Sequence, residues 1–272
     1  MTRRGCCAET LLPDPMRTLV LSDIHGNLDA LESVLTSASG SYDQIWHLGD
    51  AVGYGAYPNQ VIDRIRSLGT LHVRGNHDRV SSGLHSGDDF NPIAAYAAHW
   101  TGEQLTPENR GWLRNLPQGP IFPAGSMAEC VHGSPLDEDQ YVTSIQEAVD
   151  VLRSQQGLVT FFGHTHLQGG FSSNGRNWTE IIPRYSNATR AVQWKMMLKM
   201  DGSMRYLINP GSVGQPRDLD WRAAFAVYDD ANDGSPAKLV FHRIPYDVAA
   251  AQRAILDAGL PDRLASRLSE GR

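Results

Sequence analysis

Five apolar stretches of this chain each end in side chains that can hold a metal ion, and that recurrence restricts the fold more than any other feature. After "RTLVL" come Asp23 and His25, and after "DQIWHL" comes Asp50. After "TLHVR" come Asn76, His77 and Asp78; after "AECV" comes His132; after "LVTFF" come His164 and His166. In an open α/β sheet, ligands bind outside the carboxyl ends of the strands. The segments between the first three runs fit such a sheet. "LDALESVLTSA" repeats apolar residues at Leu28, Leu31, Val34 and Leu35, which is a helical period. "PNQVIDRIRSLG" begins on Pro and stops before Gly, as helices do. Strand, helix, strand, helix, strand over 17–78 predicts a βαβαβ unit with parallel strands.

Downstream, 90–115 reads as two helices broken at Thr106-Pro107, and "GPIFPA", "MAECVHG" and "LVTFFGHTH" read as strands with a helix at 144–155. Residues 169–208 read as hairpins, "AAFAVYDD" and "AKLVFHRI" as one more hairpin, and 247–259 as a closing helix. No repeat and no break in composition marks a second domain. The expected organisation is a loose tail over 1–16, one domain over 17–260 and a C-terminal tail over 261–272.

The 272 residues are 41% apolar and 20% charged, with a net charge of −6, which is ordinary for a soluble globular protein. The acidic balance and the lack of a Lys/Arg cluster weigh against a nucleic-acid surface. No apolar run approaches the ~20 residues that span a bilayer. The first 16 residues carry two arginines but no apolar core segment, so no signal peptide is expected. Cys6, Cys7 and Cys130 make no disulfide framework, and a reducing cytoplasm is the expected location. Cys130 is expected as a small buried apolar residue.

In "D-I-H" and "H-T-H" the polar residues stand at i and i+2, on one face of an extended backbone, so both reach one point. Asp, Asn and His offer hard oxygen and borderline nitrogen, and no thiolate stands at these strand ends. That donor set suits Mn, Fe, Zn, Co or Ni. Seven candidate ligands exceed what one ion takes, whereas two ions sharing a carboxylate use them all. His47, His72, His85, His99 and His242 have no ligand partner nearby in sequence and are read as structural or solvated.

The ordered series "LSDIHGNLDAL", "HLGDAVGYG", "VRGNHD", "VHGSP", "GHTH" and "NPGSVGQPRD" resembles the calcineurin-like metallophosphoesterase superfamily, over about residues 17 to 250. It is most similar to the small bacterial branch of phosphodiesterase and diadenosine-tetraphosphatase-like proteins. The resemblance implies a four-layer αββα sandwich of two mixed β-sheets with a two-metal site at its rim. By motif position, Asp23, His25, Asp50 and His166 would hold one metal, and Asp50, Asn76, His132 and His164 the other. Asp50 would bridge together with a water or hydroxide, and His77 would face the substrate.

Two metals ~3.5–4 Å apart clamp both oxygens of an in-line displacement at phosphorus. The implied function is thus hydrolysis of phosphodiester or phosphoanhydride bonds of a phosphorylated small molecule or nucleotide. His77 would act as general acid, and Asp78 would hold its imidazolium. The phosphoprotein phosphatases of the superfamily carry G-D-x-V-D-R-G where this chain has "GDAVGYG", so the second acid and the phosphate-gripping arginine are missing. That weighs against a serine/threonine protein phosphatase. Arg217 in "QPRD" is a replacement phosphate contact or a loop arginine paired with Asp218. The stretch 171–205 is a substrate-facing flap, a homo-oligomer contact or a β extension on a sheet edge. A scaffold protein on the same fold is the rival from a different class, and a nuclease of the same fold is a third reading. The presence of all seven ligands and His77 favours the enzyme.

Overall fold

The computed structural model describes residues 16–69, 71–184, 192–230 and 236–272. The expected N-terminal tail, with Cys6 and Cys7, lies outside the described residues apart from Met16. In chain order the elements are β1 (Arg17–Leu21), α1 (Leu28–Ala38), β2 (Gln44–His47), α2 (Pro58–Leu68), β3 (Leu71–His72) and α3 (Asn76–Ser81). Then come α4 (Pro92–Gln104), α5 (Pro107–Arg114), β4 (Ala128–Cys130), α6 (Ile145–Ser154), β5 (Val159–Phe161), β6 (Gly169–Ser173) and β7 (Trp178–Ile181). The remainder is β8 (Trp194–Lys199), β9 (Arg205–Asn209), β10 (Ala223–Asp229), β11 (Lys238–Ile244), α7 (Val248–Asp257) and α8 (Asp262–Glu270).

The strands form two mixed sheets, ordered β3-β2-β1-β10-β11-β8 and β4-β5-β9-β6-β7. The parallel parts are β1, β2 and β3 in the first sheet and β4, β5 and β9 in the second. Side-chain alternation explains the layering. In β1, Val20 joins the core between the sheets, while Leu19 and Leu21 join the core under the helices. Trp46, Phe161 and Tyr228 meet between the sheets, with ring centroids 5.1–6.1 Å apart. The outer face of the first sheet is covered by α1, α2, α7 and α8, through residues such as Leu31, Val61, Ile255 and Leu264. The outer face of the second packs Phe171 and Leu207 on Val151 and Leu152 of α6. The architecture is therefore the expected four-layer αββα sandwich.

Local chemistry places the helix starts. Thr106 accepts from the Asn109 N–H and caps α5 just past the expected break, and Ser144 and Glu147 form a capping box on α6. Two expectations change. "GPIFPA" is not a strand; Ile121 alone bridges to Cys130. The expected C-terminal tail instead carries α8, whose Leu264, Ala265 and Leu268 are buried at helical spacing. The stretch 171–205 supplies edge strands to both sheets: β7 pairs with β6 in one, β8 with β11 in the other. Both edges lie across the sheets from β3 and β4. Residues 185–191 of that stretch lie outside the described residues. Cys130 is a free, fully buried thiol, pushed well up by burial. No helix among the described residues is long and apolar enough to cross a membrane.

Phe161 lies at the middle of the inter-sheet core and is fully buried. Phe161→Ala is expected to destabilise the protein by about 3–5 kcal/mol, the cost of a large cavity in a packed core. Urea unfolding checks this; a loss under about 1 kcal/mol would mean the two sheets do not share a tight core.

Candidate metal centre

All the expected ligands sit in loops at the carboxyl ends of strands or in the first turn that follows. Asp23 and His25 follow β1, Asp50 follows β2, His132 follows β4, and His164 and His166 follow β5, while Asn76 opens α3 after β3. The backbone turns sharply there. Among the described residues, six non-glycine residues have positive φ, and five of them are Asp23, His25, Asp50, His164 and His166, with φ of 52–65°. Asp, Asn and His enter this region more readily than other non-glycine residues, yet each such residue still costs about 1–3 kcal/mol. The loops are laced together: the N–H groups of Asp23 and His25 donate to the carbonyls of Gly49 and Asp50 at 3.0 Å.

The ligand atoms form two overlapping groups. Asp23, His25, Asp50 and His166 make one, and Asp50, His132 and His164 make the other, with the atoms of each group within 4.8 Å of one another and all buried. Asp50 Oδ2 lies 3.6 Å from His25 Nε2 and 3.4 Å from His132 Nε2, so this carboxylate stands between the groups. Asn76 Oδ1 lies 3.1 Å from His132 Nε2, beside the second group.

Outer contacts fix which ring nitrogens face inward. Nδ1 of His25, His132 and His166 sits 3.1, 2.8 and 2.6 Å from the carbonyls of Val52, Leu48 and Gln215. A carbonyl accepts only, so each Nδ1 carries a hydrogen, and the neutral rings of His25 and His166 turn an Nε2 lone pair inward. His164 is the reverse: its Nε2 faces the Asp139 carbonyl at 3.1 Å, leaving Nδ1 as the other ring nitrogen. The loop bearing Asp139 is held in turn by Arg79, which pairs with Glu138 and Asp139.

The donor set fits a cation. His25 Nε2 and His166 Nε2 are 3.0 Å apart, and with both Nδ1 atoms donating to carbonyls, two lone pairs face each other. Only a proton or a metal ion between them relieves that. Burial pulls the imidazoles of His25, His164 and His166 down, His164 to about 3, so metal is the better occupant there. Burial also raises Asp23 to about 7, with His132 opposing and Asp50 adding to it. Burial would raise Asp50 too, but His132, His77 and His25 hold it well below the usual carboxylate range. His132 itself is drawn up to about 10, because the Asp50 carboxylate outweighs burial.

His77 is in neither ligand group. Its ring packs on Tyr54, Phe90 and His25 at 4.4, 4.7 and 4.9 Å, with Nδ1 unpartnered. Burial pulls it down to about 4, against Asp50 and with help from Arg217, so the free ring is neutral at pH 7. It lines an open cleft of about 190 Å³ with Tyr54, Asn76, Phe90, Tyr141 and His164.

Asp78 does not meet the expectation that it steadies the His77 ring. Its Oδ2 accepts from the N–H groups of Asp50 and Gly75, at 2.9 and 3.0 Å, and its Oδ1 from Val52 at 3.2 Å. Asp78 thus ties the β2 loop to the α3 start and positions Asp50. Gly75 is required at that junction, since a Cβ there would lie 2.1 Å from Asp50 Oδ1. Arg217 is not paired with Asp218, whose partner is Arg243. Arg217 turns to the site, with Nη2 3.5 Å from the Tyr54 hydroxyl. The reading from sequence missed Phe90, Tyr141, Asp139 and Arg267. The first three carry no motif, and Arg267 was hidden in the assumed tail. His47, His72, His85, His99 and His242 lie outside both ligand groups.

A sequence profile of the calcineurin-like phosphoesterase superfamily domain matches residues 16–233. An uncharacterized protein of Methanocaldococcus jannaschii is 34% identical, covering 93% of this chain and 97% of its own. The crystal structure of a metallophosphoesterase from Sphaerobacter thermophilus is 36% identical with a TM-score of 0.80, covering 95% of this chain and all of that one. A symmetrical bis(5'-nucleosyl)-tetraphosphatase of Psychromonas ingrahamii is 33% identical over 111 residues, 38% of each chain. The chain belongs to the calcineurin-like phosphoesterase superfamily.

If Asp78 positions the β2 loop, Asp78→Ala is expected to weaken Mn²⁺ binding ~10–100-fold, as loss of an outer-contact residue does. Calorimetric Mn²⁺ titration checks it. Unchanged affinity with reduced turnover would return Asp78 to a role at the reacting centre.

Proposed function

We propose that this member of the superfamily is a two-metal phosphoesterase that hydrolyses phosphodiester or phosphoanhydride bonds. The observation that carries the reading is the pair of buried ligand groups sharing Asp50, next to an open cleft that Asn76, His77 and His164 line. Two divalent ions, Mn, Fe, Zn, Ni or Co by donor type, would be held by Asp23, His25, Asp50 and His166 and by Asp50, Asn76, His132 and His164. When bound, they supply Lewis-acid polarisation of the phosphoryl oxygen and a lowered pKa for the attacking water.

The chain's own residues do the rest. The carbonyls of Val52, Leu48 and Gln215 orient the ligating rings. Arg217, beside Tyr54, grips a phosphate oxygen. His77, in the cleft wall, gives a proton to the leaving oxygen. Its free ring is neutral, so it takes up a proton from solvent as the substrate binds: a phosphate anion against the ring stabilises the imidazolium. Gly53 and Tyr54 stand where a protein phosphatase would carry its second acid and arginine, and Tyr54 is buried against His25 and His77. The proposed substrate is accordingly a small phosphorylated molecule or nucleotide.

A panel assayed with added Mn²⁺ tests this: bis(p-nitrophenyl) phosphate, dinucleoside polyphosphates and phosphoserine peptides. The first two classes are expected to turn over faster than the peptides. Efficient release of phosphate from the peptides, with the other two inert, would sink the proposal.

His77→Ala is expected to leave metal content unchanged and slow turnover ~10²–10⁴-fold. The loss should be greatest for alkoxide leaving groups and least for p-nitrophenolate, which departs without a proton. Equal losses for every leaving group, or a lost metal, would contradict the acid role.

A further inference from the structure

Arg217 and Arg267 stand beside the metal centre, and among the described residues no carboxylate is in ion-pair contact with either. The Arg217 guanidinium lies over the Tyr54 ring at 5.8 Å from its centroid, and that of Arg267, on α8, lies over the same ring at 5.7 Å. Tyr54 packs directly on His25 and His77, at 4.7 and 4.4 Å. Neither arginine forms an ion pair among the described residues. Arg217 donates to Gln215 Oε1 at 3.2 Å, and Arg267 Nε donates to the Arg272 carbonyl at 2.5 Å. The acids nearest in sequence are taken, Asp218 by Arg243 and Glu270 by Arg263. Arg217 Nε is buried without a partner.

Two half-buried guanidiniums that share one aromatic floor repel each other. Burial, Arg217 and Arg263 draw Arg267 down to about 10, only partly offset by Tyr54 and Glu270. An anion between or above them relieves the repulsion and satisfies free N–H donors, and guanidinium forks match phosphate oxygens. A single Arg217 suffices to grip the phosphate that reacts. The second guanidinium, brought by a separate helix to the same ring, has anion capacity left over.

We propose that Arg217 and Arg267 form an anion subsite beside the metal centre that receives a second phosphate of the substrate. The inference rests on the phosphoesterase reading and narrows it: substrates with two linked phosphates, phosphoanhydrides such as dinucleoside polyphosphates, are preferred over isolated diesters. The recognition involves no bond change and asks only for a second phosphate dianion or monoanion within reach of both side chains.

The test compares methylenediphosphonate with methylphosphonate by calorimetric titration of Mn²⁺-loaded protein. Neither probe is hydrolysed. Wild type is expected to bind the diphosphonate ~10–100-fold more tightly, as charge-assisted hydrogen bonds imply. Arg267→Met, which keeps an unbranched stem on Tyr54, should abolish that preference while methylphosphonate binding, metal content and melting temperature stay near wild type. Arg267→Lys should restore part of it. A preference that survives Arg267→Met overturns the subsite, and so does a wild type that binds both probes alike. If Arg267→Met melts early, its Lys counterpart decides: restored folding without restored preference makes Arg267 a packing residue and overturns the proposal. The enzyme reading stands or falls separately, on turnover of bis(p-nitrophenyl) phosphate by wild type.

Discussion

Lone pairs turned toward one another dominate this molecule's interior. Buried aspartates and imidazoles converge on two adjacent points, and His25 and His166 aim acceptor nitrogens at each other across 3.0 Å. Burial makes protonation of these rings unfavourable and leaves the repulsion standing. A cation is the group that resolves it. Everything else in the structure either creates this convergence or makes use of it.

The scaffold creates it through backbone geometry. Five ligands hold left-handed conformations at strand ends, where an L-residue is strained. Such strain persists only when surrounding structure over-determines it. Here the inter-sheet core of Trp46, Phe161 and Tyr228 fixes the strands, and Asp78 ties the β2 loop, through the N–H groups of Asp50 and Val52, to the N–H of Gly75. Gly75 lets two loops touch where any side chain would collide with Asp50. The charged, strained rim is thus carried by apolar packing some way from it, which separates the residues that stabilise the fold from those placed to do chemistry.

Much of this was legible from the chain alone. Metal-type donors at five strand ends gave the site, because a parallel arrangement of β1, β2 and β3 brings their ends to one rim. The helical periods of α1 and α2 are clear because one face of each is buried and the other wet. What escaped depended on tertiary contact. Asp78 follows His77 directly, yet its carboxylate turns to the backbone of residues 50 and 52, a partner that sequence adjacency conceals. α8 escapes a reading of the sequence although Leu264 and Leu268 stand four apart, since a nine-residue helix carries little periodic signal. With α8 went Arg267, whose position over Tyr54 only the fold reveals. "GPIFPA" reads as a strand from its apolar residues, but its two prolines remove ladder donors, and a single bridge remains.

The central claim is that Asp50 joins two metal ions into one unit. Electron paramagnetic resonance of the Mn²⁺-saturated protein tests it most directly. The account predicts a spin-coupled multiline signal at two ions per chain, replaced by an isolated six-line Mn²⁺ spectrum when His164→Ala removes one ion. Saturation at a single ion, with the isolated spectrum in wild type, would contradict it.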